Sequence, residues 1–380
     1  MVLPYTIIFF IVLFILLEKS KNGKACLYAK DTRFDKQCLL LFFFVFYVLF
    51  AFRSQEVGND TVAYIELYSK FEQTSYSKLL AIYYGRFEIG FLLYCKLLSL
   101  IWACPQFLFI VSGIIILTSF YRLIIKYSNF ILLSVFLFFT LRLFDDSLNV
   151  LRQVIAVCFV ICSYAFLRKQ KIVPFVFWVL VAFLFHKSAI IFLLAWFIIR
   201  VKINKGLIYT WAVVLLTVAV VAPFIISLLF SNNIIPAYYL NSEYLNSGKI
   251  APILLLLISL VICLFGLYSK VYQIPHDEQA KGKAIFDNKN MLILQMFACI
   301  LLVFNIYFAV ILRVAAYFQV FSIILLPNAL RSIKNRHTYL IFLTLIIVVF
   351  MLYFVITITF RPEWNRVYPY SFSGNLIHCT

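Results

Sequence analysis

Thirteen apolar runs separated by short charged intervals constrain this chain more than any other feature of its sequence. They lie at residues 2–17, 38–52, 87–102, 105–125, 130–144, 150–167, 172–185, 188–199, 207–230, 251–268, 291–312, 314–330 and 339–360. A helix needs about 20 apolar residues to cross a bilayer, and somewhat fewer where aromatic and basic side chains anchor its ends. The expected fold is therefore an all-α, polytopic membrane bundle, a single integral membrane domain over residues 1–380. Composition agrees: 65% of the residues are hydrophobic, against about 45–50% in soluble domains. A water-soluble globule and intrinsic disorder are both excluded.

The charges mark the topology. Lys and Arg number 33 against 15 acidic residues, a net charge of +18. Because most of them punctuate apolar runs, they report which loops stayed in the cytoplasm, and a nucleic-acid partner is set aside. The first run lacks a basic leader and is followed by Lys19, Lys21, Lys24, Lys30, Arg33 and Lys36, so it reads as an uncleaved anchor with an outside N-terminus. Basic clusters recur at Arg168 to Lys171, Arg200 to Lys205, Lys270 to Lys289 and Arg331 to Arg336, each pair separated by an even number of runs. All can face the cytoplasm together, which makes 269–290 a cytoplasmic loop and 53–86 and 231–249 outer loops. Parity fails once: three runs lie between Phe52 and Asp145, where two or four are required. One run there must be re-entrant or interfacial, which leaves about twelve crossings with both termini outside.

Nine cysteines show no disulfide framework and no zinc spacing. Cys38, Cys95, Cys104, Cys158, Cys162, Cys263 and Cys299 lie in or beside apolar runs, where thiols behave as small hydrophobes. Neither metal nor cofactor is expected.

Polar residues next to apolar runs are costly and gather on the expected outer side. Arg152, with Gln153 beside it, stands at a helix start. It either snorkels or pairs with Asp145 or Asp146, or it clamps an anion, for which its planar fork and the helix N-terminus are both suited. His186 lies between two short runs, beside Lys187. Arg313 lies between two long runs without a local acid, with Tyr317 one turn further along the same face. Asp60, Tyr64 and Tyr68 share a helical face, which suits either a carbohydrate or an interfacial amphipathic helix. Glu88 enters an apolar run directly and has Arg86 nearby. Lys96, Arg122, Lys126 and Arg142 are assigned to snorkelling or pairing. Tyr238, Tyr239, Tyr244, Trp364, Tyr368 and Tyr370 are sugar platforms or interfacial anchors.

These residues come in an order that resembles one family. Gly58-Asn59-Asp60 with Tyr64, Glu88-Ile89-Gly90-Phe91, Leu151-Arg152-Gln153-Val154-Ile155-Ala156, Phe185-His186-Lys187-Ser188-Ala189, and Arg313 with Tyr317 together resemble the EpsG-like exopolysaccharide polymerases, which are similar to Wzy-type O-antigen and capsule polymerases. The Arg-Gln and Phe-His-x-Ser-Ala signatures carry most of the resemblance. It implies a GT-C-like bundle in the bacterial cytoplasmic membrane that joins polyprenyl-diphosphate-linked oligosaccharides at the outer face, alongside a flippase and a chain-length regulator.

On that expectation Arg152 and Arg313 stabilise the departing diphosphate without a divalent metal. Asp60, Glu88 or His186 takes the proton of the acceptor hydroxyl, and Tyr64, Gln153 and Tyr317 bind substrate. Arg152, His186 and Arg313 are expected in one extracytoplasmic pocket. A lipid-linked oligosaccharide flippase or other transporter, and a membrane acyltransferase with His186 as base, are the alternatives.

Overall fold

The computed structural model describes residues 33–83, 87–232, 249–274 and 287–373, with residues 4, 6–8 and 10–12 before them. Most of the first expected span and of the loop 231–249, including Tyr238, Tyr239 and Tyr244, lies outside the described residues, as does Arg86. In chain order the helices are α1 (Arg33–Ala51), α2 (Thr61–Gln73), α3 (Tyr76–Tyr83), α4 (Ile89–Ile101), α5 (Gln106–Tyr127), α6 (Ile131–Thr140), α7 (Leu143–Asn149), α8 (Leu151–Leu167) and α9 (Ile172–Phe185). A 3-10 helix (Lys187–Leu194) follows, then α10 (Ala195–Ile198), α11 (Lys205–Ser231), α12 (Ile250–Tyr268), α13 (Asp287–Asn305), α14 (Ile311–Gln319), α15 (Ser322–Arg331) and α16 (Arg336–Phe360). No strand occurs among the described residues.

Among the described residues, seven helices are long and apolar enough to cross a membrane: α1, α5, α11, α12, α13, α14 with α15 as Ile311–Arg331, and α16. Shorter apolar helices, α4, α6, α8, α9 and Lys187–Ile198, accompany them. The chain is an all-helical, multi-pass membrane protein. Local signals set the helix starts. Asn204 caps α11 by accepting from the Leu207 N–H at 2.7 Å, and Asn335 caps α16 by accepting from Thr338 at 3.1 Å. Both caps lie within or beside the basic clusters that precede these spans.

The chain packs as two compact units. Unit 1 comprises Met1–Cys162, Leu180–Lys187 and Ile333–Thr380; unit 2 comprises Ser163–Val179 and Ser188–Ser332. The core of unit 1 is aromatic: Phe46 stacks on Phe139 at 5.6 Å and meets Phe144 at 5.0 Å, while Phe43 stacks on Phe138 at 5.4 Å. Gly113 lets α5 close on α1, since a Cβ there would come within 2.8 Å of the Phe50 ring. The core of unit 2 is α13, with 72% of its most apolar stretch buried against 11% for α11. Buried amides and hydroxyls tie α13 to α12, as where Gln295 donates to Ser259 at 2.6 Å.

A group of polar contacts joins three segments of unit 1. Asn59 N–H donates to the Asn149 side chain at 2.6 Å, Gly58 N–H to the Arg366 carbonyl at 2.9 Å, and Ser373 N–H to Phe52 at 3.0 Å. The loop after α1, the α7–α8 turn and the aromatic tail therefore meet there.

Helix α4 is one of the short apolar helices of the region where parity fails. Its 13 residues reach about 20 Å, short of the roughly 30 Å of hydrocarbon. The residues flanking it are tied to neighbouring elements of unit 1. Glu88 caps its start beside Arg152, the Tyr68 hydroxyl donates to the Trp102 carbonyl at 2.8 Å, and the Gln106 side chain donates to Ala51, the last residue of α1. Gly90 permits this course, because a Cβ there would lie 2.7 Å from Leu184 of α9. Ile89, Leu93, Leu97, Leu100 and Ile101 form an exposed apolar face. Among the described residues between Phe52 and Asp145 only α5 is long enough to cross, and α6, at 10 residues, is shorter still than α4.

In unit 2 the basic clusters also meet at one end. The Lys289 ammonium donates to the Ile199 carbonyl at 2.8 Å, Ser332 Oγ to Ser269 at 3.1 Å, and Arg168 pairs with Asp287.

Two expectations are corrected here. Cys104 is disulfide-bonded, although the cysteine spacing shows no recognisable framework. Tyr368 is no sugar platform: it is buried, and its hydroxyl donates to Asp145 at 3.3 Å.

Candidate functional site

Arg152 lies in the first turn of α8. Its partner is Glu88, 64 residues away, bound through Nη1. The expectation that Arg152 pairs with Asp145 or Asp146 is superseded, while a Glu88–Arg86 pair falls on Arg86, outside the described residues. Asp145 is taken by Arg142, whose Nε donates at 2.9 Å, and Asp146 accepts from Asn365 at 3.2 Å. The backbone explains the first pair: Arg142 adopts φ 64°, a left-handed turn that folds it back onto α7.

Around Glu88 and Arg152 the unit gathers a backbone donor, aromatic rings and a phenol. The second Glu88 oxygen accepts from the Lys187 N–H at 3.4 Å, at the end of α9. The guanidinium carbon stands 4.7 Å from the Phe87 ring centre and 6.0 Å from that of Phe91, so aromatic faces support the cation. Tyr64, from the first turn of α2, presents its hydroxyl as an acceptor to Arg152 and packs edge-on against Phe91 at 5.8 Å. Burial pushes the Tyr64 phenol up to about 12, with the Arg152 charge opposing that rise and Asp60 adding to it. The hydroxyl thus keeps its proton at neutral pH. Arg152 Nε is buried without a hydrogen-bond partner among the described residues.

Tyr64, Glu88 and Arg152 are therefore in direct association, and Asp60 stands one turn before Tyr64 as the cap of α2. His186 is half-buried at the end of α9, next to the Lys187 N–H that reaches Glu88. Gln153 is buried within α8. Arg313 and Tyr317 belong to unit 2, one turn apart on α14. Tyr317 is fully buried, and its hydroxyl lies 3.1 Å from Ser188 Oγ. Tyr68, the third member of the expected face, is buried and spends its hydroxyl on Trp102. Among the described residues no three His, Cys, Asp or Glu side chains gather as metal ligands would.

Sequence reasoning missed Phe87, the Lys187 N–H and Arg53. Phe87 immediately precedes the Glu88 motif and Lys187 lies within the His186 motif, but backbone donors and ring faces have no residue-type signature. Arg53 is wholly buried between the Phe50 and Phe109 rings, 4.7 and 4.0 Å from their centres, and burial pushes it down to about 9. It donates to Thr61 and to the Phe50 carbonyl, which ties the end of α1 to the start of α2.

No curated protein and no solved structure matches the chain. The EpsG family model matches residues 36–372, from the start of α1 to the end of the aromatic tail and across all the motifs above. The chain belongs to the EpsG family.

Proposed function

We propose that this protein is an exopolysaccharide polymerase, transferring a polyprenyl-diphosphate-linked oligosaccharide onto a sugar hydroxyl of another lipid-linked unit at the outer face of the bacterial cytoplasmic membrane. The observation that carries this reading is the under-coordinated Arg152, supported by aromatic faces beside Glu88 and Tyr64, in a chain of this family. A guanidinium with donors to spare suits a phosphate-rich leaving group.

Sidedness has its own support. Disulfides persist in oxidising compartments, and bonded Cys104 lies two residues before Gln106, which anchors α5 to the end of α1. The end of unit 1 that holds Glu88 and Arg152 is accordingly assigned to the outer face. The basic clusters gathered in unit 2 fit a cytoplasmic position by the positive-inside rule. About twelve crossings and a GT-C-like architecture complete the proposal.

In the reaction, Arg152 stabilises charge that develops on the departing diphosphate. The family resemblance implies a like role for Arg313, which in its own unit stands one turn before Tyr317, held by Ser188. One of Asp60, Glu88 and His186 accepts the proton of the attacking hydroxyl, and single displacement inverts the anomeric centre. The guanidinium groups do this work without a divalent metal.

Deletion of the gene followed by glycan electrophoresis tests the reading: products carrying one repeat unit should replace the ladder. Single units accumulating outside the membrane are expected, whereas accumulation inside would instead assign the chain to lipid-linked oligosaccharide flipping.

A further inference from the structure

Glu88 answers Arg152 incompletely. A guanidinium carries five N–H donors in a rigid fork, yet Glu88 engages Nη1 alone, and Nε has no hydrogen-bond partner among the described residues. The other carboxylate oxygen meets the Lys187 N–H at 3.4 Å, the long limit of a hydrogen bond. Both side chains keep contact with the exterior, at 23% exposure for Arg152 and 11% for Glu88. The cation itself is held by other means, by the Phe87 ring and the Tyr64 hydroxyl. The start of α4 is held by its close packing at Gly90. Removing the Glu88 charge would therefore leave Arg152 in place with more donors open.

We propose that Glu88 is a displaceable internal counter-ion: its carboxylate occupies the place of an anionic headgroup on Arg152 and the Lys187 N–H, and a bound diphosphate evicts it. This rests on reading Arg152 as the anion-binding group. A diphosphate brings more acceptor oxygens and more charge than one carboxylate, so it can fill the donors that Glu88 leaves open. In the resting chain the carboxylate keeps the cation paired, and it excludes anions that cannot engage the fork at more than one point.

The test uses the purified full chain in detergent, with inorganic pyrophosphate and a polyprenyl diphosphate as parallel probes. Glu88→Gln should bind both at least about tenfold more tightly than the parent chain, because a competing negative charge beside the ligand is gone. Adding Arg152→Gln should abolish that gain. Tighter absolute binding of the lipid would name the membrane lipid as the natural source of the headgroup, and tighter binding of pyrophosphate would name the free anion. Equal or weaker binding of both by a folded Glu88→Gln chain overturns the proposal. Should that variant fail to fold, Glu88→Asp withdraws the charge by one methylene and is expected to bind about threefold more tightly; the absence of any gain there overturns the proposal equally. The glycan ladder is a separate readout, so a null result here removes the counter-ion role and leaves the polymerase reading standing. A parent chain that makes no ladder does the reverse.

Discussion

Helix α8 begins with one arginine and is followed directly by another, and their surroundings differ. Arg168, just past its last residue, meets Asp287 through two donors at 2.8 and 2.5 Å, and Tyr164 adds its hydroxyl to the same carboxylate at 2.9 Å. The two side chains are 5% and 2% exposed. Arg152, in the first turn, meets Glu88 through one donor and remains partly open. The same pair of chemical groups is thus saturated and sealed in unit 2 but under-coordinated and accessible in unit 1. A sealed pair that satisfies its own donors has nothing left to offer a ligand; an open pair with a spare donor does. Coordination, not the presence of a charge in an apolar chain, separates the structural arginine from the candidate functional one.

Four substitutions break or sharpen this contrast, beginning with the largest effect. Asp287→Ala leaves Arg168 buried and unpaired, which should destabilise the fold by about 3–5 kcal/mol; thermal unfolding in detergent reads it, and an unchanged midpoint would refute the sealed description. Arg152→Ala should leave that midpoint nearly unaltered while reducing long-chain glycan about a hundredfold or more, the size of one lost oxyanion donor. Arg152→Lys should restore little, since a point charge cannot reproduce the fork. Normal ladders in both variants would deprive Arg152 of its role. Tyr164→Phe removes one hydrogen bond to a charged acceptor and should cost about 1.5 kcal/mol without changing the glycan, measured by the same two assays.

The smallest effect concerns an acid that takes part in neither pair. Asp146 lies among Arg142, Asp145, Tyr353 and Asn365, and burial raises its carboxyl to about 6 from an ordinary 3.8. Between those values the folded chain holds a proton that the unfolded chain has released. Its contribution to stability therefore falls as pH rises through that window and stays lost above it. Asp146→Asn should flatten this part of the pH–stability curve and gain about 1 kcal/mol at pH 7, allowing for solvent screening at a partly exposed group. A curve identical to that of the parent chain would show that Asp146 is ionised without penalty.

Much of the fold was legible because its determinants are local. Apolar runs specify helices, and the positions of Arg168, Arg200, Lys289 and Arg331 pointed to a shared side, where Lys289 reaches Ile199 and Arg168 reaches Asp287. The odd segment count announced an unusual element without naming it, and the contact of Trp102, just after α4, with Tyr68 of α2 was not legible in it. In the candidate site, the residues were legible as types and the partnerships were not. Arg142 and Asp145 are neighbours in sequence and pair, but Arg152 passes over the nearby Asp145 and Asp146 for Glu88, because Gly90 lets α4 approach Leu184 closely. The disulfide at Cys104 was invisible for the same reason, since spacing reveals a pair only when a known pattern repeats.

By itself, then, the amino-acid order determined that the chain is a multi-pass helical membrane protein, which loops carry its basic clusters, and which polar residues are too costly to be incidental. These follow from transfer of side chains and backbone between water and hydrocarbon, a property of each segment alone. Which acid neutralises which cation, and which arginine keeps a donor open, were decided by tertiary structure. Those outcomes depend on distances of a few ångströms between segments far apart along the chain, and packing sets such distances only when all the helices are assembled.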